Sequence, residues 1–397
     1  MNVNHMRNAV LSALPVLAGV ILAPTADAQW TVTNLHPAGA TYSSANAASG
    51  GQQAGTAALG NFYHAGWWSG TAASWVDLHP ASATESSEAY AASGGQQVGY
   101  AVIAEYEASL WTGTAASRVS LHPAGTTFSI ARAIGDGRQG GLATVGGFDH
   151  ASLWFGTAAS WVDLNPAGSN DSNVSGVSGW EGGQQVGHAM IGGPPHAGLW
   201  RGTAGSWVDL NPAGSMSSGA LATAKGQQVG FAILSGVPHA GRWNGTAASW
   251  VTLHPAGAAG SSASATSGTQ QVGSAIVSGA SHASLWSGTA ASWVDLHVFV
   301  PAEYTSSSAG GVSSDATYLY VTGSGHNSLT GRDEALLWTR PLPCRADFDA
   351  DGFLTFEDFD AFVAAFEAGA SSADFNADGF LTFEDFDAFV ASFEAGC

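Results

Sequence analysis

The stretch His282-Ala283-Ser284-Leu285-Trp286-Ser287-Gly288-Thr289-Ala290-Ala291-Ser292-Trp293-Val294-Asp295-Leu296-His297 decides the fold, because near-copies of it recur along most of the chain. The same phrase reads from His150 to Asn165, from His196 to Asn211 and from His239 to His254, with looser copies over His64 to His79 and Glu107 to His122. Its most constant member is a tryptophan, at Trp68, Trp111, Trp154, Trp200, Trp243, Trp286 and Trp338, in steps of 43, 43, 46, 43, 43 and 52 residues. A step in the low forties is the period of a propeller blade, a twisted sheet of four short strands.

Four strand-sized pieces make up one period. In the repeat that ends at His122 they are Glu85 to Ser93, Gln96 to Ile103, Ser109 to Thr112 and Ser117 to Leu121, punctuated by Gly94-Gly95, Gly113 and Pro123-Ala124-Gly125. The first piece is small in every copy, as in Ser43-Ser44-Ala45-Asn46-Ala47-Ala48-Ser49, which suits an innermost strand where blades crowd at the axis. Trp286 and Trp293 sit further out, where indoles that bury about 150 to 250 Å² each can fill the widening gap between blades.

Seven tryptophan units exist, but only six are followed by a strand of the Trp-Val-Asp-Leu type, since Leu337-Trp338 runs into Pro341-Leu342-Pro343. The missing copy stands at the other end, where Leu35-His36-Pro37-Ala38-Gly39 matches Leu121-His122-Pro123-Ala124-Gly125. The sequence therefore predicts a mainly β fold: a seven-bladed β-propeller of four-stranded blades over 29–340. Thr31 to Leu35 would complete the last blade and hide two raw strand edges.

Only 10% of the 397 residues are charged and Lys225 is the only lysine, so solubility rests on hydroxyls and loop backbone. A net charge of −20 excludes a nucleic-acid partner, which requires clustered cations to neutralise phosphates. Arg7, the apolar run Ala9 to Ala23 and Ala26-Asp27-Ala28 predict a secretory signal peptide, 1–28, cut after Ala28. That run, interrupted by Pro15, is shorter than the roughly 20 residues of a spanning helix, so the mature protein is expected to be secreted, extracellular or surface-associated, with no membrane span.

Polar residues recur as regularly as the tryptophans. His64, His150, His196, His239 and His282 share one slot, where Glu107 and Glu334 replace them; His36, His79, His122, His254 and His297 share another. Asp77, Asp163, Asp209 and Asp295 form a third, and pairs such as Gln184-Gln185 and Gln227-Gln228 a fourth. A catalytic histidine is normally unique, so these slots read as hydrogen-bonding to turns and neighbouring strands. No catalytic residue is assigned. Positions that break the pattern, namely Trp67, Tyr106, Arg132, Arg138, Phe148, Asp171, Trp180 and Glu181, would carry any carbohydrate or protein ligand on loops of one face or at the channel mouth.

Composition changes after the linker 341–343. Over 344–397, Ala346 to Gly369 and Ala373 to Gly396 are identical at 22 of 24 positions, an internal duplication. Each copy opens with oxygen donors at the spacing of an EF-hand-like calcium loop: Asp347, Asp349, Asp351, the Phe353 carbonyl, Thr355 and Asp358, with Gly352 at the sharp turn. The second loop supplies Asp374, Asn376, Asp378, the Phe380 carbonyl, Thr382 and Asp385, so two Ca²⁺ sites are expected. Phe359, Phe362, Val363 and Phe366, like Phe386, Phe389, Val390 and Phe393, fall on one face of a helix behind each loop. Cys344 and Cys397 bracket the segment; in an oxidising compartment this favours a bridge between them over unpaired or intermolecular thiols.

The phrase His-Ala-x-Leu-Trp, then x-Val-x-Asp-Leu, a small-residue run and Gly-Gln-Gln-Val-Gly-Tyr-Ala resembles the HAF-type extracellular repeat family over roughly residues 30 to 340, which implies an exported propeller-like domain and no settled activity. The duplicated loop and helix, with a Cys start and Gly-Cys end, looks like dockerin. That resemblance implies a calcium-dependent plug for a cohesin-like or other cell-surface receptor, with Phe356-Glu357 and Phe383-Glu384 at the contact positions. The resulting expectation is an exported, non-catalytic binding or scaffold propeller. The alternatives are a carbohydrate-active glycosidase or lyase with the same anchor, and a C-terminal module that serves only as a folding cap.

Overall fold

The computed structural model describes residues 30–179, 182–315, 317–351, 353–376 and 379–396, together with the backbone of 21–22. The rest of the expected signal peptide, Trp180, Glu181, Gly352, Asp378 and Cys397 lie outside the described residues. Two compact units are present: Trp30–Arg340, and a second that contains Pro341–Cys397.

The first unit is a seven-bladed propeller. Six blades are four consecutive antiparallel strands, as in Tyr42–Ser49, Gln52–Leu59, Phe62–Trp68 and Val76–Asp77 of blade 1. Blades 2 to 6 span residues 87–120, 129–163, 169–209, 218–252 and 261–295. Blade 7 consists of Tyr304–Ser314, Tyr318–Asn327 and Arg332–Pro341, and its outermost strand is Thr31–Asn34 from the other end of the unit. Val32 pairs with Trp338 and Asn34 with Leu336, so the ring is closed by strand exchange as the repeat count requires. Leu35 then inserts, fully buried, between blades 7 and 1.

Tight hairpins follow from the turn residues. Gly50-Gly51 have φ of 55° and 77°, the doubly positive pattern that matches strand twist in a two-residue loop. The fourth strand is shorter than the sequence suggested. Ser117 does not begin it but ends a 3₁₀ turn, Ala115–Ser117, because its hydroxyl accepts from Thr112 N–H at 2.8 Å and donates to Thr114 O at 2.6 Å. The same Thr-Ala-x-Ser turn precedes the outer strand in blades 1 to 6.

Each repeat tryptophan closes a seam. Trp154 packs with Ala131 and Ala143 of its own blade against Val98, Leu110 and Leu121 of the preceding one, and Trp200 and Trp286 do the same one and three blades on. All seven are fully buried, which makes them the largest apolar contribution to blade packing.

The first strands are not regular ladders. In every blade the pairing of strands one and two skips a residue at one shared place, for example Tyr90 between the pairs Ala89↔Gly99 and Ala91↔Val98, and blades 4 and 7 have a second shift, between Ser169 and Ser172 and between Tyr304 and Ser306. At that shared place the skipped residues of the other blades are Asn46, Arg132, Ser175, Leu221, Ser264 and Gly310. Each bulge pushes a first-strand carbonyl onto the Cα of a second-strand glycine. A Cβ on Gly99 would lie 1.8 Å from Glu88 O, and one on Gly55 2.0 Å from Ser44 O. This is the physical reason for the invariant glycine in the Gln-Gln-Val-Gly phrase.

In the second unit, helices α1 (Phe356–Glu367) and α2 (Phe383–Ala395) start at Thr355 and Thr382, which cap them by accepting from Glu357 and Glu384 N–H. Phe362 and Phe389 stack at 4.0 Å with planes 2° apart. Phe348 meets Phe362, and Phe375 meets Phe389, edge-on at 5.4 Å, so the duplicated sequence yields a duplicated core related by a local two-fold.

Candidate functional site

The recurrent polar slots are tied into the ring. Register between strands three and four sets Gly66 against Asp77, which brings His64 Nδ1 to 2.8 Å from Asp77 Oδ2. His150–Asp163, His196–Asp209 and His282–Asp295 repeat the pair at 2.8 Å. Two blades change both partners together. Glu334 Oε2 accepts from Asn34 Nδ2 at 2.8 Å across the ring closure, and Glu107 Oε2 accepts from Ser120 Oγ and Arg118 Nη2 at 2.9 and 2.6 Å. The second histidine slot joins blades: Ser87 Oγ takes Ala65 N–H at 3.0 Å from the preceding blade and lies 2.9 Å from His79 Nδ1. The second glutamine of a pair can clamp two turns, as when Gln53 Oε1 accepts from Gly70 N–H while its Nε2 donates to Gly51 O, both at 2.8 Å.

The residues that break the pattern divide into two groups. Trp67 Nε1 donates to Gly113 O at 3.1 Å, a blade-to-blade tie that Arg242 makes to Gly288 O at 2.9 Å, so Trp67 is structural. Arg138 lies beside Gly183, where a Cβ would meet its Nη1 at 2.9 Å, and Phe148 stands 56% exposed. Tyr106, Arg132 and Asp171 instead belong to a cluster over blades 2 to 4. Tyr90, Tyr100, Tyr106 and Phe128 form a row of rings with centroids 6.0, 4.9 and 5.0 Å apart. Arg132 lies over the Tyr90 ring at 5.6 Å. Asp171 Oδ1 is 3.5 Å from His188 Nε2.

Burial keeps this cluster's protons in place. The Tyr90 and Tyr100 hydroxyls are pushed well above the ordinary phenol value, by desolvation first and then by the Glu88 charge, so both remain donors; Tyr100 OH donates to Glu88 at 2.8 Å. His188 is held below the ordinary imidazole value by desolvation, against the raising effect of Asp171, and with Arg132 adding to the lowering. The sequence reading missed Tyr90, Tyr100 and His188. Its available signal was that His188 stands where other blades carry Thr56, Tyr100, Leu142, Phe231 and Ser274.

The bulge residues meet at the axis, where they line a cavity of about 200 Å³ with the small residues that follow them. Arg132 is the one charged side chain among those lining it. Asn46 and Ser175 are already occupied, Asn46 Nδ2 donating to Ala89 O at 2.9 Å and Ser175 Oγ to Asn173 Oδ1 at 2.9 Å.

In the second unit Asp347, Asp349 and Asp351 bring a carboxylate oxygen each within 4.8 Å of one another. The Asp349 carboxyl is raised, by desolvation first and by the charges of Asp358, Asp351 and Asp347. Crowded like charges of this kind are what a hard cation relieves. Asp358 is buried and stands outside that group of three; its oxygens accept from the N–H groups of Phe348, Asp349 and Thr355 at 2.7, 3.2 and 2.8 Å. Asp385 does likewise with Asn376 and Thr382, at 3.0 and 2.8 Å, and these bonds hold its carboxyl below the usual range. Thr355 and Thr382, expected as ligands, are the helix caps. Phe353 and Phe380, expected to offer carbonyls, expose their rings.

No protein-family model matches the chain, and no curated protein matches it. Solved propeller-containing structures do. TolB from Acinetobacter baumannii is similar at 8% identity over 73% of this chain and 79% of its own, with a TM-score of 0.41. Puromycin hydrolase is similar at 13% identity over 78% of this chain, TM-score 0.44, and the match spans 59% of the hydrolase. The β-propeller domain of the trilobed protease from Pyrococcus furiosus, which has an open velcro topology, is similar at 11% identity over 76% of this chain and 97% of its own, TM-score 0.43. These likenesses concern fold alone. Among the described residues no helix is long and apolar enough to cross a membrane.

Proposed function

We propose that the protein is an exported, non-catalytic binding or scaffold propeller of the HAF-repeat type, held on a surface or complex by a calcium-loaded, dockerin-like module. The observation that supports this reading is the convergence of Asp347, Asp349 and Asp351 on one of two duplicated loop-helix units. The equivalent rings Phe356 and Phe383 beside those loops stand 55% and 57% exposed. Apolar rings at the same place on each copy suit a receptor that accepts either half. Calcium would be held by the oxygen donors of both loops, and a Cys344–Cys397 bridge would tie the module's ends.

The propeller side of the reading rests on how its titratable groups are used. The repeated His, Asp and Gln side chains described above join strands and blades, and what is left over is a cluster suited to contact with a ligand. Calcium titration of the full chain by calorimetry, with and without chelator, tests the module: two ions per chain are expected, falling to one in Asp347→Ala. EDTA is expected to release the protein from its native surface. Retention through chelation would favour the folding cap, and product formation from polysaccharides by the purified chain would replace the reading with the glycosidase or lyase alternative.

A further inference from the structure

We propose that the axial cavity of the propeller is a binding site for a small organic carboxylate, gripped by Arg132 with its body against Tyr90. This rests on the reading of the propeller as a binding module and names the class of its ligand.

Arg132 occupies its place by construction. It is the unpaired residue of the blade 3 bulge, and bulges re-aim a side chain without disturbing the flanking ladder. Its guanidinium makes no hydrogen bond or ion pair among the described residues, and its Nε is buried without an acceptor. Neither carboxylate of the cluster serves it: Glu88 takes the Tyr100 hydroxyl at 2.8 Å, Asp171 lies 3.5 Å from His188, and neither forms an ion pair with Arg132. The face of Tyr90 at 5.6 Å is the contact that Arg132 does make. A buried guanidinium donor left unmade is costly, whereas a planar carboxylate can fill such a fork with two parallel bonds.

The remainder of the cavity selects for size and charge. About 200 Å³ lies below the roughly 300–1,000 Å³ of pockets that hold drug-sized ligands, which suits a smaller molecule. One cation in a chain of net charge −20 favours a single negative charge over a polyanion. The wall opposite, at Leu221, Ala222 and Ser264, offers apolar surface and a hydroxyl that makes no side-chain bond among the described residues.

The test is calorimetry on the full chain with sodium benzoate and sodium D-glucuronate, which separate aromatic acids from uronic acids, and with benzamide and D-glucose as neutral counterparts. At least one carboxylate is expected to bind at one per chain and tenfold or more tighter than its neutral counterpart. Arg132→Gln is expected to weaken it at least tenfold. Ser264→Leu, which fills the cavity from three blades away and leaves Arg132 in place, is expected to abolish binding with the melting temperature preserved, and it decides the matter should Arg132→Gln not fold. Equal binding of neutral and charged probes, full affinity in either folded variant, or no uptake of either acid by the folded wild-type chain overturns the proposal. A chain that refuses both acids yet captures ligands on a glycan or protein array loses this assignment and keeps its binding role; one that captures nothing loses both.

Discussion

The seven buried indoles are alike in sequence and unlike in bonding. Trp338 Nε1 donates to Leu296 O at 3.0 Å, whereas Trp68, Trp111, Trp154, Trp200, Trp243 and Trp286 have no acceptor among the described residues. Truncation of any of them to alanine is expected to cost about 3–5 kcal/mol. Replacement by phenylalanine separates them: Trp154→Phe removes a buried unpaired donor and offsets part of its lost area, while Trp338→Phe also forfeits a hydrogen bond worth about 1 kcal/mol. Urea midpoints should therefore fall further for Trp338→Phe. The outer indoles follow a second rule. Where strand three carries glycine, as at Gly66, Gly198 and Gly241, the outer ring lies across it and meets the buried indole at 4.6, 4.6 and 4.5 Å. Where it carries Ser152 or Ser284, the outer N–H donates to the hydroxyl at 2.9 or 3.0 Å. Residue types at these slots are plain in the sequence, but their partners are not, because who meets whom depends on strand register.

The elements themselves were legible to different degrees. Period, turn glycines and the tryptophan step sufficed for four strands per blade and for the exchanged seventh copy, since each leaves a mark that repeats. A single extra residue in a run of Ser, Ala and Gly leaves no break in pattern, so the bulges were invisible, and with them the axial placement of Tyr90; for Arg132 the channel mouth was one of the two places the sequence offered. Tyr106 and Asp171 stand out in the sequence as breaks in the repeat, but their union with Tyr100, Phe128 and His188 was illegible for a related reason: the members occur once each, on three blades, and become neighbours only when the sheets are set side by side. The bulge makes its own prediction. Gly99→Ala would place a methyl 1.8 Å from Glu88 O and is expected to cost about 3 kcal/mol. Gly39→Ala, in open space at a φ of 82°, is expected to cost about 1 kcal/mol. Comparable losses in the two variants, measured by denaturant titration, would contradict the bulge geometry.

At the scale of the ring, stability depends on closure and on pH. Glu334 is the hub of the closing blade. Burial alone would raise its carboxyl, but hydrogen bonds from Tyr304, Asn327, Thr330 and Asn34 outweigh burial and hold it below the ordinary value. Deleting residues 29–36 removes that contact, Leu35 and the outer strand together, and is expected to lower Tm by about 10 °C or more. An unchanged Tm would show that the exchanged strand does not close the ring. A second dependence comes from paired imidazoles: His64/His79 and His239/His254 stack with centroids 4.0 Å apart, and His282/His297 meet tilted by 36° at 4.2 Å. His79, His254 and His297 are held below the ordinary imidazole value, by burial first and then by the charge of the partner ring. The folded state prefers them neutral while the unfolded chain takes up protons from about pH 6.5 downward. Stability is therefore full above that pH and is lost as pH falls toward the depressed folded values; denaturant midpoints at pH 7.5 and 5.5 should show the drop, and His79→Gln should lessen it. The bulges carry a different consequence. The residue each one turns inward has no ladder partner, and apart from Asn46, which ties blade 1 to Ala89 of blade 2, none of them makes a side-chain hydrogen bond to another blade among the described residues. The other bulge positions can therefore vary the lining of the pore by point mutation while the architecture stands still, which gives an engineer a library with a fixed chassis.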